Sequence, residues 1–335
     1  MTQRIFVFEF ITGGGLADAP LPPSLAHEGA LMLDALLRDA RDLAAAQVSV
    51  LRDARLPALV GNSLAQHRVT SHADCLRAFD AQVAAADAVL LVAPETGGVL
   101  ADLSARVEAA GRLLLGCDAA SCRSAASKSA TGALLAAAGI DVLPHYCDAA
   151  QLPDIAGRWV VKPDDGAGCD GLRLCDDRAA AAVALRAAGP GCIAQPWLAG
   201  EARSMNLMCA RGAAALLSVN RQHLLLARER VALAALGVGD VADDDGTHAR
   251  LAARIAAAMP GLLGHVGVDL VHTARGPVVV EINPRMSSSA CALRDTLGYN
   301  VLAATLDAAR GCAPAPAPAP GRTRRIELAA QTEVA

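Results

Sequence analysis

Short apolar runs alternate with segments of helical period through the first third of the chain. Residues 4–11 (RIFVFEFI) form one β-type run and 48–51 another. Residues 88–92 (AVLLV) are continuously apolar, as a strand buried on both faces requires. Between the first two runs, Met32, Leu33, Leu36, Leu37, Ala40 and Leu43 recur at helical spacing. They predict a helix over 25–46, with Ser24 as its N-cap. Further helices are predicted over 72–86 and 99–110, then a strand at 113–115. The alternation predicts a small open parallel α/β domain over residues 1–117. Ligands of such a sheet gather beyond the carboxyl ends of its strands. Gly13-Gly14-Gly15 and Pro94-Glu95-Thr96-Gly97-Gly98 fall there. The triple glycine also reads as a plain turn, and Glu95 as a solvated loop charge.

The pattern then changes. A helix is predicted over 121–138, with Gly139 as its stop. Strands 159–162 and 172–175 flank a glycine loop, and a helix at 177–187 and a strand at 192–195 follow. After a turn-containing connection at 196–201, strands 204–210 and 214–220 flank Arg211-Gly212 as a hairpin. Residues 224–241 are ambiguous. Asp243-Asp244-Asp245 reads as a solvated loop before a helix at 248–259. Strands at 266–271 and 278–283 form a second hairpin, and a helix is expected at 300–310. The Ala-Pro repeat at 313–320 is a stiff extended linker, leaving a tail that either adds an edge strand or stays disordered.

Two stretches carry chemistry. In the first, Lys162 ends an apolar strand and Gly166-Ala167-Gly168-Cys169-Asp170-Gly171 follows, a literal GxGxxG. A dinucleotide fingerprint must open a helix, and this loop opens a strand. No Gly-Lys-Ser/Thr follows, which excludes a Walker A loop. The lysine precedes the glycines, the reverse of the protein-kinase order. A glycine loop between two strands suits a flap over phosphates, because backbone N–H groups approach closely where no Cβ intervenes. A plain glycine-rich hairpin fits the loop equally well. Of 30 Lys and Arg residues, however, only Lys128 and Lys162 are lysines. A chain that uses arginine for every generic positive charge yet keeps a lysine against a glycine loop points to a tight phosphate site, since the two side chains are not interchangeable there. The same argument nominates Lys128.

In the second stretch, Glu281 and Asn283 stand two apart on a strand and share a face, with Asp269 on the partner strand. Two carboxylates and an amide oxygen make a hard-oxygen set suited to Mg²⁺. A strand end with solvated carboxylates is the competing reading.

The bulk composition narrows the classes. The chain has 335 residues, 53% hydrophobic content and a net charge of −4, with no basic block. That describes a globular protein whose main partner is not nucleic acid. No apolar run approaches a membrane span, and no signal-peptide layout precedes the first strand. Ten cysteines without a secretion signal read as reduced, buried thiols in a cytoplasmic protein.

The ordered set of Lys128 on a helix, Lys162 before a glycine flap, a Trp197-Leu198-Ala199-Gly200-Glu201 hinge and a hairpin with Asp269, Glu281, Asn283 and Arg285 resembles the ATP-grasp superfamily over residues 1–312. The resemblance implies an N-terminal parallel α/β domain (1–117) followed by two α+β lobes (118–195 and 196–312) that clamp ATP, with 313–335 as linker and tail. It implies that Lys128 and Lys162 hold phosphates and that Gly166, Gly168 and Gly171 form the flap. It further implies that Gln195, Pro196, Trp197 and Leu198 line the adenine pocket and that Glu201 takes the ribose hydroxyls. Asp269, Glu281 and Asn283 would hold two Mg²⁺, with Mn²⁺ as a substitute, and Arg285 would act catalytically with Lys162. Family members often carry a glutamate where this chain has Gln195-Pro196, which leaves the base contact open. Arg203, Asn206 and Arg221, with Glu28 and Glu95, are the candidate substrate residues.

The implied reaction is ADP-forming ligation of a carboxylate to an amine through an acyl-phosphate. Its partners would be an amino acid and a small amine, and a homodimer is compatible with it. FEFITGGGL, PPSLAHEGALML and EINPRMSSS are most similar to ligases that join glutamate to tyramine or tyrosine in methanofuran-type cofactor synthesis. Other peptide ligases, or a non-catalytic nucleotide-binding protein, are the alternatives.

Overall fold

Alternate residues of strand β1 (Gln3–Glu9) serve two different cores. Ile5 and Val7 pack beneath helix α1 (Pro23–Ala40). Phe6 and Phe8 turn the other way, and their rings lie 5.7 and 5.1 Å from that of Phe79. The computed structural model describes residues 2–60, 64–166, 171–227, 230–318 and 322–328. Strands β2 (Ala46–Asp53) and β3 (Leu64–Val69) follow α1, then α2 (His72–Ala85), β4 (Ala88–Val92), α3 (Val99–Ala109) and β5 (Leu113–Leu114). The five strands form a parallel sheet in the order β3-β2-β1-β4-β5. The order reverses between β1 and β4, so Glu9 and loop 94–98 both lie at the switch point where such sheets bind ligands. Strand β3 was not anticipated, because its alternating, largely exposed residues carry no apolar run. Helix α1 opens at Pro23 without a side-chain cap, so Ser24 lies inside its first turn.

The single helix expected over 121–138 is two helices, α4 (Ala119–Ala126) and α5 (Lys128–Ala137). Ser127 breaks them: its backbone is extended, and its hydroxyl accepts the Ala130 amide at 3.0 Å as N-cap of α5. Lys128 is thereby the first residue of a helix rather than a mid-helix one. Strands β6 (Trp159–Pro163) and β7 (Arg173–Cys175), helix α6 (Arg178–Ala188) and strand β8 (Cys192–Pro196) follow. They form a three-stranded antiparallel sheet with β6 in the centre. Trp159, Val161 and Ala194 pack against α6 in a small core of their own.

Strands β9 (Glu201–Ala210), β10 (Ala213–Ala227) and β11 (Arg230–Val241), helix α7 (Thr247–Ala258), and strands β12 (Gly264–Thr273) and β13 (Gly276–Asn283) build the largest layer. Arg211 and Gly212 both take positive φ, 51° and 77°, which closes the β9–β10 hairpin tightly. Helices α8 (Leu293–Leu297) and α9 (Val301–Ala309) and strand β14 (Arg324–Glu327) complete the chain. The antiparallel sheet runs β13-β12-β9-β10-β11-β14, so the described parts of the ambiguous segment, 224–227 and 230–241, are strand, and the tail supplies an edge strand. The Asp triplet is a turn whose Asp243 accepts the His248 and Ala249 amides at the start of α7.

This sheet and the N-terminal domain share continuous cores: Phe6, Phe8 and Val107 cluster with Met205, Leu207 and Val268. Asp39 of α1 also accepts the Val301 amide at 2.7 Å, capping α9 from another layer. Cys117, Cys122 and Cys209 are buried in this core, and burial pushes Cys122 and Cys209 up to about 12, so they are neutral thiols. Among the described residues no helix is long and apolar enough to cross a membrane.

Candidate active site

Register decides which side chains meet. Val160 of β6 pairs with Leu174 and Gln195, and Lys162 with Ile193. Val160, Lys162, Leu174 and Gln195 therefore share the sheet face turned away from α6. That face meets the large sheet: Val160, Leu174 and Val231 cluster, with Leu172, Trp197 and Leu224 packed around them. These packed apolar side chains form the seam, or cleft, between the two sheets, and the buried Lys162 lies on its β6 face. Pro196 pairs with Trp159 and so faces the other way, while Trp197 and Leu198 are half-buried.

Lys128 reaches the same cleft from α5. Its Nζ donates to the Gly166 carbonyl and to Asp164 O at 3.4 Å, and lies 3.4 Å from Glu281 Oε2. Asp164 fixes this corner. Its carboxylate accepts Ser127 Oγ at 2.6 Å, Ser129 Oγ at 2.9 Å and the Ser129 amide at 2.8 Å. A carboxylate at a helix N-terminus is favoured by both the free amides and the dipole. Gly171 takes φ 67° as the chain re-enters strand; Gly168 lies outside the described residues.

On the large sheet Asp269 stands directly opposite Glu281, and Gly267 opposite Asn283. All three predicted ligands therefore share one face. Asn283 Nδ2 donates to Asp269 Oδ2 at 3.1 Å, and Gln222 Nε2 donates to Asp269 Oδ1 at 2.7 Å. Burial, then the facing Glu281 charge, raise the Asp269 carboxyl well above the usual range. Burial pushes Glu281 the same way, but Lys128 and Lys162 outweigh it and hold Glu281 low. Two crowded carboxylates with one amide fit a divalent cation, whose charge would relieve their repulsion. Among the described residues no group of three His, Cys, Asp or Glu forms a metal cage. The hairpin itself offers two carboxylates and one amide, a small protein set of the kind that suits Mg²⁺ bound partly by phosphates and water.

A second cluster lies where the N-terminal domain meets the end of β13. Arg285 is held by Glu95: Nη2 donates to Oε2 at 3.0 Å, and Nε lies 2.9 Å from Oε1 as an ion contact without hydrogen-bond alignment. Burial acts to lower the Arg285 pKa, but Glu95 outweighs it, so the guanidinium stays charged. Ser288 donates to Glu28 at 2.9 Å beside this pair, so Glu28, Glu95 and Arg285 do come together. Beneath them Asn206 is fully buried. Its Oδ1 accepts Ser289 Oγ at 2.8 Å and lies 3.0 Å from His265 Nε2, while His265 Nδ1 lies 3.1 Å from Arg285 O. Asn206 supports the 285–289 loop from behind and presents nothing to solvent.

Glu201, Arg203 and Arg221 are elsewhere. Glu201 pairs with His272 and Arg203 with Leu270, which places them on the face opposite Asp269. Arg203 donates to Glu201 at 2.6 Å and Arg221 donates to its other oxygen. Burial would raise the Glu201 carboxyl, but the two arginines outweigh it and hold it below the usual range. Gly200 sets this geometry: a Cβ there would lie 2.7 Å from His272 O, so only glycine lets the hinge run against β12. Sequence reasoning passed over Asp164, Ser127, Ser129 and Gln222. The Ser-Lys-Ser triplet was the available signal, since a serine before a helix residue is an N-cap pattern.

The comparisons agree with this geometry. Residues 46–122 match the pre-ATP-grasp 3 domain family, and residues 125–289 match the ATP-grasp domain family. No curated protein sequence matches the chain. Among solved structures, the chain is similar to an ATP-grasp superfamily protein from Archaeoglobus fulgidus at 21% identity, covering 97% of this chain and 92% of that one, with TM-score 0.72. It is similar to an L-amino acid ligase from Bacillus licheniformis at 16% identity, covering 93% and 75%, with TM-score 0.64. It is also similar to the N5-carboxyaminoimidazole synthetase of Staphylococcus aureus, solved with ADP, at 13% identity, covering 94% and 80%, with TM-score 0.67. At these identities the likeness is one of fold. Two consecutive domain matches on one continuous fold place the chain in the ATP-grasp superfamily, with a pre-ATP-grasp domain ahead of its ATP-grasp domain.

Proposed function

We propose that this chain is an ATP-dependent carboxylate–amine ligase, and that its lobes divide near residues 117, 195 and 312. The observation that carries the reading is the meeting of Lys128 and Glu281 at 3.4 Å across the cleft, with Lys162 on the facing sheet. Two lysines and two carboxylates around one cleft suit a nucleotide triphosphate with its metal, where catalysis is charge neutralisation and positioning. The adenine would lie against Val160, Leu174, Val231 and Trp197, and the phosphates against Lys128, Lys162 and the backbone at Gly166 and Gly171. Mg²⁺ on Asp269, Glu281 and Asn283 would neutralise phosphate charge.

The acceptor carboxylate would sit toward Arg285. It attacks the γ-phosphorus, the β–γ bridging bond breaks, and ADP leaves. The amine then attacks the acyl carbon, phosphate leaves with the bonding pair, and the ammonium proton passes to solvent. Arg285 would hold the carboxylate and then the acyl-phosphate, with the glycine loop excluding water from it. The likeness to an L-amino acid ligase supports an amino acid as the carboxylate. FEFITGGGL and EINPRMSSS support L-glutamate joined to tyramine, tyrosine or a related amine, as in methanofuran-type synthesis.

ADP release tests this. Purified protein with ATP and Mg²⁺ is given L-glutamate alone, then glutamate with tyramine or tyrosine, and products are weighed by mass spectrometry. ADP and a condensed mass only with both substrates support the full reading. ADP with another amino acid and amine keeps the ligase and removes the glutamate–tyramine branch. ATP binding without turnover on any carboxylate–amine pair refutes the ligase.

A further inference from the structure

Loop 94–98, which follows β4, touches both sides of the proposed site. Glu95 holds Arg285 in the large-sheet lobe, at 3.0 Å between Oε2 and Nη2. Its two successors reach the other lobe: Thr96 Oγ1 donates to Asp165 O at 3.0 Å, and the Gly97 amide donates to Asp165 Oδ2 at 3.0 Å. Gly97 and Gly98 take φ 65° and 73°, a conformation that turns the Gly97 amide toward Asp165 and that L side chains resist. Asp165 lies between Asp164, which is fastened to the start of α5, and Gly166, whose carbonyl receives Lys128 Nζ. Three consecutive residues on one strand of the path and three on the other thus join the Arg285 pocket to the lysine corner.

We propose that Thr96 and Asp165 are positioning residues that couple the Arg285 pocket to the lysine-lined cleft, so that a change in one alters affinity in the other. The inference rests on the reading that the cleft takes a nucleotide and the Arg285 pocket takes its acceptor. An acceptor carboxylate on Arg285 competes with Glu95. Displacing Glu95 moves Thr96 and Gly97, and with them the backbone at 164–166 that sets Lys128. Binding coupling of this kind is reciprocal: the nucleotide changes acceptor affinity by the same factor. Its use would be to favour phosphoryl transfer when the acceptor is present. The two bonds are solvent-accessible and neutral or singly charged, so each carries about a tenfold effect at most.

The test is calorimetric binding of MgADP to the full chain and to Thr96→Val, Thr96→Ser, Glu95→Gln and the Thr96→Val/Glu95→Gln double variant, with the melting temperature recorded for each. Thr96→Val should weaken MgADP roughly 3- to 10-fold, and Thr96→Ser should restore it. Glu95→Gln should shift MgADP affinity in the wild-type background, and that shift should shrink by at least about half when Thr96 is Val. Asp165→Ala, which removes the acceptor of the Gly97 amide, serves as the second variant should Thr96→Val fail to fold. Affinity within about twofold of wild type for Thr96→Val, or strictly additive effects, would overturn the coupling while leaving the nucleotide site intact. A wild-type protein that binds no MgADP overturns the cleft reading and the coupling together.

Discussion

Lys128 Nζ and Glu281 Oε2 are 3.4 Å apart, with side-chain exposures of 6% and 19%, so a lysine from the start of α5 and a carboxylate from β13 neutralise each other inside the cleft. Phosphates and a metal would each replace one partner: phosphate takes the lysine, and Mg²⁺ takes the carboxylate.

That exchange gives opposite signs for one substitution. Glu281→Gln removes the counter-charge of both lysines and a metal ligand together. ADP without metal should then bind more tightly than to wild type, while Mg²⁺-dependent turnover should fall by about 100-fold or more. Calorimetry with and without Mg²⁺, beside ADP release, reads both. Unchanged turnover would remove Glu281 from the metal set.

Lys162→Arg and Lys128→Arg keep the charge but replace a compact ammonium with a wide planar fork in buried positions. We expect MgADP affinity to drop about tenfold or more for each. Near-native affinity in both would show that the scarcity of lysine in this chain has no bearing on its site.

Much of the arrangement of these candidate residues was legible beforehand because each element has a local physical signature. The Asp269/Glu281/Asn283 face follows from the period of a strand, and the direct Asp269–Glu281 pairing bears out the hairpin. The parallel sheet was legible from its apolar runs, apart from β3, whose residues are too exposed to make one. What escaped depends on long-range partners. The break at Ser127 is stabilised by Asp164, 37 positions away, so no helical-period reading of 121–138 contains it. The face on which Glu201 lies depends on its pairing with His272 of β12, and local spacing is silent on that.

Asp164 is the residue that the helix break singles out. Asp164→Ala leaves Ser127 Oγ, Ser129 Oγ and the Ser129 amide without their acceptor. Chemical denaturation should show a loss of about 1–3 kcal/mol, and MgADP affinity should fall with it because Lys128 follows the start of α5. A stability loss with unchanged nucleotide affinity would separate Asp164 from the site.

Glu201 provides a contrast. It is clamped by Arg203 and Arg221 on the face away from Asp269. Glu201→Gln should therefore leave MgADP affinity within about threefold, since a side chain that does not face the cleft loses only indirect effects. A drop of about tenfold or more would return Glu201 to the ribose contact that the family resemblance implies.

His265 gives the protein a pH signature on its folded state. Burial lowers its pKa from 6.5 to about 4, because the imidazolium would have to exist without water. The folded chain therefore binds fewer protons than the unfolded chain between these values, and stability falls as pH drops through the window. The slope is about 1.4 kcal/mol per pH unit, so roughly 2 kcal/mol should be lost between pH 7 and 5 through this residue. Above 6.5 both states are neutral here and the contribution is flat. His272, also lowered by burial, adds a slope of the same sign, so wild type alone does not isolate the effect. Urea unfolding of wild type and His265→Gln at pH 7.0, 6.0 and 5.0 does. The variant should be less stable at pH 7, since it disturbs the contacts to Asn206 and Arg285, and the gap should narrow by about 2 kcal/mol at pH 5. A gap that stays constant with pH would mean that His265 takes up its proton in the folded state, with both ring nitrogens then donating, to Arg285 O and Asn206 Oδ1.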